Sequence, residues 1–589
     1  MKALKITIIA LLAGFSMVSC DFLDKEPTKL TPENYFNTPA EANSFLTGIY
    51  AILSQPTFYG GDYMYLVAGD DLSHYGGSGR GPASTGLICN NATTSDNAVT
   101  AFWYALYSGI NRANMFLENI DKVNGFDAGV KEQYIAEARF LRAFYYFNLV
   151  ECWGDVPFKT VSTQSVTNLN IPRTDKQEIY DFIISEMADA AETPCCSSRI
   201  LQSMADAAET GLKSASDLAY KPGRISQSTA WGILARVYLF RAGEHYREGR
   251  NATQAEKKDY FERASFYAQK VMTAGHKLAA NYWDPFIDMC SDKYNTTANE
   301  SIWEAEFAGN NTSDTQAEGR IGNIIGLAGP DLSSKSDVTG AKDPGYGYAF
   351  IYSTPKLYNL YVNNGDTKRF NWSIAPFEYK EAGGKNTGVT HREFEQGKLA
   401  EVMSQYGQQR GTYQYADDTE KTTATKNFSR MCGKYRREYE ADKKDKNYTS
   451  INFPILRYAD VLLMIAEAEN EANNGPTTLA YQCMKEVRER AGLNELPDMM
   501  QEEFRQTVKD ERAMELCFEY TRRFDLIRWG EYVKNMRALV TEAQSGNNWT
   551  QGPTNVYTYF NISSTYNYFP IPDAEMSVNK DITQNNPGW

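Results

Sequence analysis

Residues 131–153 (KEQYIAEARFLRAFYYFNLVECW) constrain the fold more than any other stretch. Tyr134, Ala138, Leu141 and Tyr145 recur at helical spacing, and Ile135, Phe140, Phe144 and Phe147 widen that stripe until the helix is apolar nearly all round. Such a helix must be wrapped by other elements. Arg139 and Arg142 then need partners, or must snorkel to solvent. The material for wrapping is present: 42% of the chain is hydrophobic and 13% aromatic, with 39 Tyr, 29 Phe and 9 Trp. A length of 589 residues would by itself allow about four domains of ordinary size.

Further helical patterns run over residues 40–54, 99–119, 175–192, 227–248 and 255–274. Another follows at 456–473, where Tyr458, Val461, Leu462, Ile465, Ala468 and Ala472 share a face, and 477–491 is its hairpin partner across Asn474-Gly475-Pro476. Antiparallel pairs with short loops suggest a helical-repeat array. The strict 34-residue period of tetratricopeptide (TPR) repeats is not visible. Between residues 277 and 452 Gly, Asn, Asp and Tyr become frequent and helical periodicity fades; 302–307 is a short strand candidate. A structureless loop of that length is foreign to a compact domain, so an irregular subdomain laid over the helices is expected. MADAAET occurs at 187–193 and again at 204–210, with Cys195-Cys196 between. A tandem duplication that lengthens a surface helix or loop accounts for it.

Residues 511–530 (ERAMELCFEYTRRFDLIRWG) read as a helix running into a sharp exit at Gly530. Met514, Cys517 and Phe518 mark its apolar face. Glu511, Glu515 and Glu519 stack on a second stripe, with Arg512, Arg522, Arg523 and Arg528 nearby. The three glutamates suit either a metal or acid/base cluster or an ion-paired packing element, and charge pairs at helical spacing favour the second.

The N-terminus reads as a targeting segment. Lys2 and Lys5 precede an apolar run at 6–15 that is too short to span a bilayer. Met17-Val18-Ser19-Cys20 then resembles a bacterial lipobox, so residues 1–19 are expected to be a signal peptide and Cys20 the lipidated first residue; ordinary secretory cleavage is the alternative. No later stretch approaches ~20 consecutive apolar residues, so the mature chain is expected to be soluble apart from its lipid. Residues 21–36, with Pro27 and Pro32, read as an extended tether. Eight other cysteines include no C-x-x-C, and His74, His245, His276 and His391 are scattered, so zinc-ligand spacing is absent. Cys152, Cys483 and Cys517 fall in helical patterns and read as small buried hydrophobes. The net charge of −14 argues against nucleic acid.

No G-x-S-x-G, H-E-x-x-H or Gly-rich phosphate loop is present, so no catalytic residues are assigned. Binding is the better account. Sugar rings stack their C–H faces on aromatics, and their hydroxyls bond to planar polar side chains, best on loops held by a rigid body. Residues 58–91 fit: Tyr59, Tyr63, Tyr65 and Tyr75 alternate with Asp62, Asp70, Asp71, His74, Arg80, Asn90 and Asn91 amid glycines. Residues 343–352, with Tyr346, Tyr348 and Tyr352, are a second candidate; Trp283 and Trp372 are weaker ones. Each tyrosine has packing or a turn as its alternative role. Trp153-Gly154-Asp155 suits a helix stop and turn, or a sugar platform. No cofactor or metal is expected, although an Asp-rich loop could hold a structural cation.

Several motifs in order resemble one family: C-D-x-L-D at 20–24, A-E-A-R-F-L-R-A-F-Y-Y-F-N-L-V and W-G-D-V-P at 136–157, N-E-S-I-W at 299–303, L-R-Y-A-D-V-L-L-M-I-A-E-A at 456–468, the run at 511–530, and P-I-P-x-x-E with Q-N-x-P-G-aromatic at the end. Together they are similar to the SusD/RagB family of surface-exposed nutrient-binding lipoproteins of Bacteroidetes-type bacteria. The resemblance covers nearly the whole chain. It implies a mainly α, SusD-like fold with few short strands. TPR-like helical hairpins would form a scaffold at about 40–274 and 455–530, with a loop-rich ligand-side insertion at about 277–452. A closing segment at 531–589 would complete a single domain spanning 37–589. It also implies a lipid-anchored, outward-facing protein of the outer membrane. Such a protein captures oligosaccharides and hands them to a TonB-dependent, SusC-like transporter. Peptide cargo, as in the RagB branch, and a TPR-type scaffold without a ligand are the alternatives. The family has no fixed ligand motif, so the site residues above rest on composition and placement.

Overall fold

The computed structural model describes residues 35–75, 86–87, 90–163, 165, 167, 169–187, 223–249, 252–308, 319–331, 344–375, 430–440, 445–544 and 562–589. The first half carries α1 (Pro39–Tyr50), α2 (Asp62–Val67), β1 (Ser73–Tyr75), α3 (Asn97–Asn119), α4 (Val130–Trp153), β2 (Val156–Pro157), β3 (Arg173–Thr174), α5 (Lys176–Met187), α6 (Gln227–Arg247), α7 (Gln254–Thr273) and α8 (Asp284–Cys290). Then come β4 (Ser301–Ala305), α9 (Ile321–Ile324), β5 (Ile351–Ser353), α10 (Pro355–Asn364), α11 (Thr367–Ser373), β6 (Ile374–Ala375), β7 (Met431–Cys432) and β8 (Phe453–Arg457). The C-terminal part is α12 (Tyr458–Ala472), α13 (Thr478–Ala491), α14 (Gln501–Leu516), α15 (Arg522–Arg528), α16 (Tyr532–Gln544) and α17 (Asp573–Val578). The protein is mainly α, as the periodicity and the family resemblance both indicated. The tether with Cys20, Arg80 and the MADAAET duplication from residue 188 onward lie outside the described residues.

The long helices begin where side chains can cap their free N–H groups. Asp96 accepts from Ala98 and Val99 at the start of α3, and Thr477 accepts from Ala480 at the start of α13. Thr38, Ser226 and Thr253 form reciprocal capping boxes on α1, α6 and α7. Every residue of α4 from 140 to 153 is buried. α4 is wrapped by α3, α5, α1 and α6, with Trp303 of β4 packed edge-on 5.6 Å from Phe140 and 4.8 Å from Phe144. Each such buried aromatic contributes about 1.5–3 kcal/mol. Arg142 is satisfied from both flanking helices: its Nε donates to Glu186 of α5 (2.9 Å) and its Nη1 to Asn114 of α3 (2.7 Å). A second stack follows, in which α6 packs on α7, α7 on α12, and α12 on α13 and α14. Among the described residues no helix is long and apolar enough to cross a membrane.

α4 ends at Gly154, whose φ of 73° follows a Trp153 that is fully buried and donates its indole N–H to the Pro570 carbonyl (2.8 Å). Trp153 is therefore a helix stop clamped by the C-terminal segment, not a platform open to sugar.

Residues 511–530 depart from the expected single helix. α14 ends at Leu516, and α15 starts at Arg522. Phe518 and Tyr520 between them both have φ of 61°, and Gly530 (φ 70°) ends only the second piece. Left-handed backbone at two non-glycine residues costs about 1–3 kcal/mol each, and the break is held by partners from far along the chain. Lys434 donates to the Glu515 carbonyl (2.8 Å) and Tyr435 to the Phe518 carbonyl (3.1 Å), replacing helical bonds at the C-terminal end. The turn also swings Glu519 onto Lys434 (2.6 Å) and Arg457 (2.7 Å).

The glutamates join a buried ion network. Glu515 accepts from Arg369 (3.0 Å), Arg457 (3.2 Å) and Arg490 (2.5 Å). Glu511 meets Arg369 (2.6 Å) and Arg488 (2.9 Å), and Glu300 meets Arg457 (2.6 Å) and Arg490 (2.7 Å). Burial pushes the Glu515 carboxyl up, but Arg490, Arg457 and Arg369 more than offset this and hold it well below the ordinary range. These are the ion pairs of a packing element.

Residues 277–452, expected to be irregular, carry only short elements where they are described. Their described parts hold α8 to α11 and strands β4 to β7. Elements of two to ten residues are too short to register as periodicity. β4 pairs antiparallel with β8 (Ser301↔Arg457, Ala305↔Phe453), which ties this region to the start of α12. β1, β5, β7 and β6 form a four-stranded antiparallel sheet in that order.

Candidate functional site

The β1–β5 pairing joins the two segments that the sequence offered separately. His74 faces Tyr352 and Tyr75 faces Ile351. The Leu72 carbonyl accepts from Thr354 N (2.9 Å), and the Asp71 carbonyl from the Thr354 hydroxyl (2.8 Å). Residues 346–350 then run along α9: Tyr348 N donates to the Asn323 carbonyl and Phe350 N to the Ile324 carbonyl, both at 2.8 Å. Gly347 permits this approach, because a Cβ there would stand 2.1 Å from the Leu327 carbonyl oxygen.

Alternate side chains of this ribbon emerge. Gly347 and Ala349 are buried, while Tyr346, Tyr348 and Phe350 are half-buried. Their rings form a column. Tyr346 meets Tyr348 edge-on at 4.8 Å, Tyr348 stacks on Phe350 at 4.8 Å, and Phe350 stacks on the buried Tyr75 at 5.6 Å. The half-buried Tyr65 of α2 stands 6.3 Å from both Tyr75 and Phe350. Charged groups border the column. The Lys446 ammonium lies 5.3 Å from the Tyr346 ring centroid and pairs with Asp331 (3.1 Å). Arg320, which precedes α9, donates to Asn323 (3.2 Å), whose amide in turn reaches the Tyr346 and Lys446 carbonyls. Burial raises the Asp62 carboxyl, against the pull of Arg320. The surface thus offers aromatic faces and edges, phenol hydroxyls, and one cation beside each of two carboxylates. That is chemistry for a ligand with apolar ring faces and many hydroxyls.

Other candidates stand behind this surface or elsewhere. Tyr59 stacks between Phe58 (4.0 Å) and Phe453 (4.4 Å), and Tyr63 packs edge-on against Tyr59; both are core residues. Asp71 is fully buried, bridged by Arg522 (2.8 and 2.9 Å) and by Lys356 (2.5 Å). Asp70 accepts from Leu72 N and Ser73 N, both at 2.8 Å, and closes the turn into β1. Burial, with Asp71 next to it, pushes the Asp70 carboxyl up to about 7. Burial depresses the His74 imidazole to about 4. Asn90 is buried at φ 48°, with its carbonyl taking the Tyr566 hydroxyl and its side-chain oxygen the Tyr532 hydroxyl. These residues hold the sheet in place rather than face solvent. Trp372 is buried under the Arg436 guanidinium (3.8 Å), with Trp283 6.0 Å away. Arg80 and Cys20 lie outside the described residues. Among the described residues no group of three or more His, Cys, Asp or Glu is arranged to hold a metal ion. Composition missed Phe350, Arg320 and Lys446. The alternation Tyr346-x-Tyr348-x-Phe350 was the available signal for the first.

Comparison with known proteins agrees with this architecture. Residues 299–589 match the model of the SusD family, and residues 21–203 match a model described as "Starch-binding associating with outer membrane". The chain is 26% identical over 606 aligned positions to SusD-like protein P2 of Formosa agariphila, covering 100% of each. It is 22% identical to the starch-binding protein SusD of Bacteroides thetaiotaomicron, covering 81% of this chain and 76% of that one. The crystal structure of a SusD homolog from B. thetaiotaomicron superposes with a TM-score of 0.75 at 26% identity, over 96% of this chain and 100% of the other. With matched motifs at both ends and the fold in common, the chain belongs to the SusD family.

Proposed function

We propose that the protein is a glycan-binding lipoprotein of the outer membrane, anchored through Cys20, with the aromatic ribbon at 346–350 and Tyr65 as its sugar-contacting surface. The observation that carries this reading is the ring column itself. Half-buried aromatics backed by a rigid sheet give stacking area at little entropic cost. Planar and charged groups at the edge supply partners for hydroxyls. The starch-binding name of the B. thetaiotaomicron relative and the description of the N-terminal family model support a saccharide cargo. On this reading the protein works by capture and delivery: it holds an oligosaccharide outside the membrane and passes it to a TonB-dependent, SusC-like transporter. Asp70 and Asp71 would then secure the sheet beneath the ligand, with no chemistry performed on it.

Affinity electrophoresis of the chain from Asp21 onward against amylopectin, laminarin, xylan, pectin and mucin tests the cargo. Retardation by one of these, lost in Tyr348→Ala, is the expected result. Retardation by none, with binding of extended peptides in its place, would move the cargo to peptide. Co-purification of a TonB-dependent barrel with the lipidated chain tests the delivery step.

A further inference from the structure

A groove of about 160 Å³ opens between α3, residues 157–163 and 169–171, and α17. Trp103, Tyr104, Tyr107, Asn111, Leu169 and Glu575 are among its lining residues. Two of the protein's exposed large apolar side chains meet here: Tyr104 and Leu169 are each 41% exposed. The Trp103 indole is buried, edge-on to Trp153 at 5.1 Å and 5.0 Å from the Tyr107 ring. The walls are fixed by hydrogen bonds to backbone. Tyr107 donates to the Pro157 carbonyl (2.7 Å), Asn111 accepts from Thr163 N (2.8 Å), and Asn114 donates to the Lys159 (3.3 Å) and Val161 (3.1 Å) carbonyls. Asn579 holds Ile171 through both its N–H (3.0 Å) and its carbonyl (2.9 Å). Amide side chains thus stitch a loop to two helices, and an exposed tyrosine and leucine remain over a preformed hollow.

The chemistry selects an occupant. Lys159 and Glu575 place one charge of each sign on the walls, so an ionic ligand gains no net attraction. The Lys159 ammonium donates to the Thr163 hydroxyl (2.6 Å), and burial, with Glu575 beside it, raises the Tyr104 phenol, so both charges already have neighbours in the walls. The volume is about half the ~300 Å³ at which ordinary ligand pockets begin, which suits a single ring. We propose that this groove is a second glycan subsite that takes one neutral pyranose unit of a polysaccharide, with Tyr104 and Leu169 against its C–H face and Asn111 at its hydroxyls. The proposal rests on the glycan reading above and adds a second point of attachment to it. A polymer long enough to engage ribbon and groove together gains avidity, whereas a short oligosaccharide occupies one or the other.

The test uses the full chain, Tyr104→Ala, Leu169→Asp and Tyr348→Ala. Each is titrated with amylopectin, laminarin and xylan, and with the trisaccharide of each. Both changed groove positions are exposed, and thermal unfolding of the variants checks that they fold like the parent. The expected result is that Tyr104→Ala and Leu169→Asp weaken binding of the recognised polymer about tenfold and leave its trisaccharide unchanged, while Tyr348→Ala weakens both. Polymer affinity equal to the parent's in both groove variants would overturn the second subsite and leave the ribbon reading standing. A parent that binds none of the three polymers, or binds only pectin or mucin, would overturn it as well.

Discussion

Replacing Glu515 by Gln removes one negative charge from the centre of the ion network without opening a hole. In the parent, its two oxygens face Arg369, Arg457 and Arg490 at 2.5 to 3.2 Å, all fully buried or nearly so. Lys434 also sits within the network, on the Glu515 carbonyl and the Glu519 carboxylate. The amide of Gln can accept from at most one guanidinium side and turns its own N–H₂ toward another. Breaking a buried pair by removing one partner costs about 3–5 kcal/mol, because the remaining charge stays buried and uncompensated. Three guanidiniums share this loss, so the upper half of that range is expected. Guanidinium chloride unfolding followed by tryptophan fluorescence gives the change as a shift in midpoint. The pH dependence supplies a second readout. Because the folded carboxyl is held below its ordinary range, its stabilisation is complete above about pH 4.5 and lost as pH falls toward the depressed value. The deficit of Glu515→Gln should therefore be largest near pH 7 and shrink below pH 4. A loss within about 0.5 kcal/mol, typical of surface changes, or a deficit independent of pH, would mean that the Glu515 charge does not hold the network together.

Asp70 and Glu304 are pushed up to about 7 and Glu151 to about 8, in each case by burial first. A raised folded value makes stability fall as pH rises from about 4 to 8, so the unfolding midpoint should be higher at pH 5 than at pH 8, and Glu151→Gln should flatten that slope in calorimetry. Burial would raise Asp460, but Arg512 and Arg236 hold it at about 2, so stability should fall again below pH 4, and less so in Asp460→Asn. Gly243 of α6 faces the α15 backbone, and a Cβ there would stand 2.2 Å from the Arg528 carbonyl oxygen; Gly243→Ala should cost about 1–3 kcal/mol by the same unfolding assay, far more than Gly48→Ala, where nothing lies within 4 Å. Arg522→Met leaves Asp71 buried with Lys356 as its remaining cation and should cost about 3 kcal/mol or more, with faster amide exchange across Ser73–Tyr75 as its local mark.

The helical scaffold was legible because its signals are local. Apolar spacing of three and four along α3, α4, α6, α7 and α12 carries the core face, and caps such as Asp96 and Thr477 sit beside the helices they start. The break at Phe518 and Tyr520 was not legible, because Lys434 and Tyr435, which stabilise it, lie 81 and 83 residues away. The ion-paired character of Glu511, Glu515 and Glu519 could be read from their stripe, but the identity of Arg369, Arg457 and Arg490 as partners could not. The same holds for the site. Tyrosines and acids in residues 58–91 were conspicuous as composition, yet Asp71 is turned inward by Arg522, 451 positions on. Tyr346 and Tyr348 reach the surface beside Tyr65 only because β1 pairs with β5 across nearly three hundred residues. Composition names the residue types of a binding face; long-range pairing decides which of them meet solvent.

The ring column at 346–350 is the proposed sugar-contacting surface. Titration calorimetry of Tyr348→Ala beside the parent, against the polysaccharide that retards the parent, tests it directly. Tyr348 is half-buried, and its ring rests on Phe350 and Tyr346. Its loss should therefore weaken binding roughly tenfold, about 1.4 kcal/mol, while the unfolding midpoint changes little. Unchanged affinity in Tyr348→Ala, with a parent that binds the glycan, would contradict the proposal and place the sugar elsewhere on the protein.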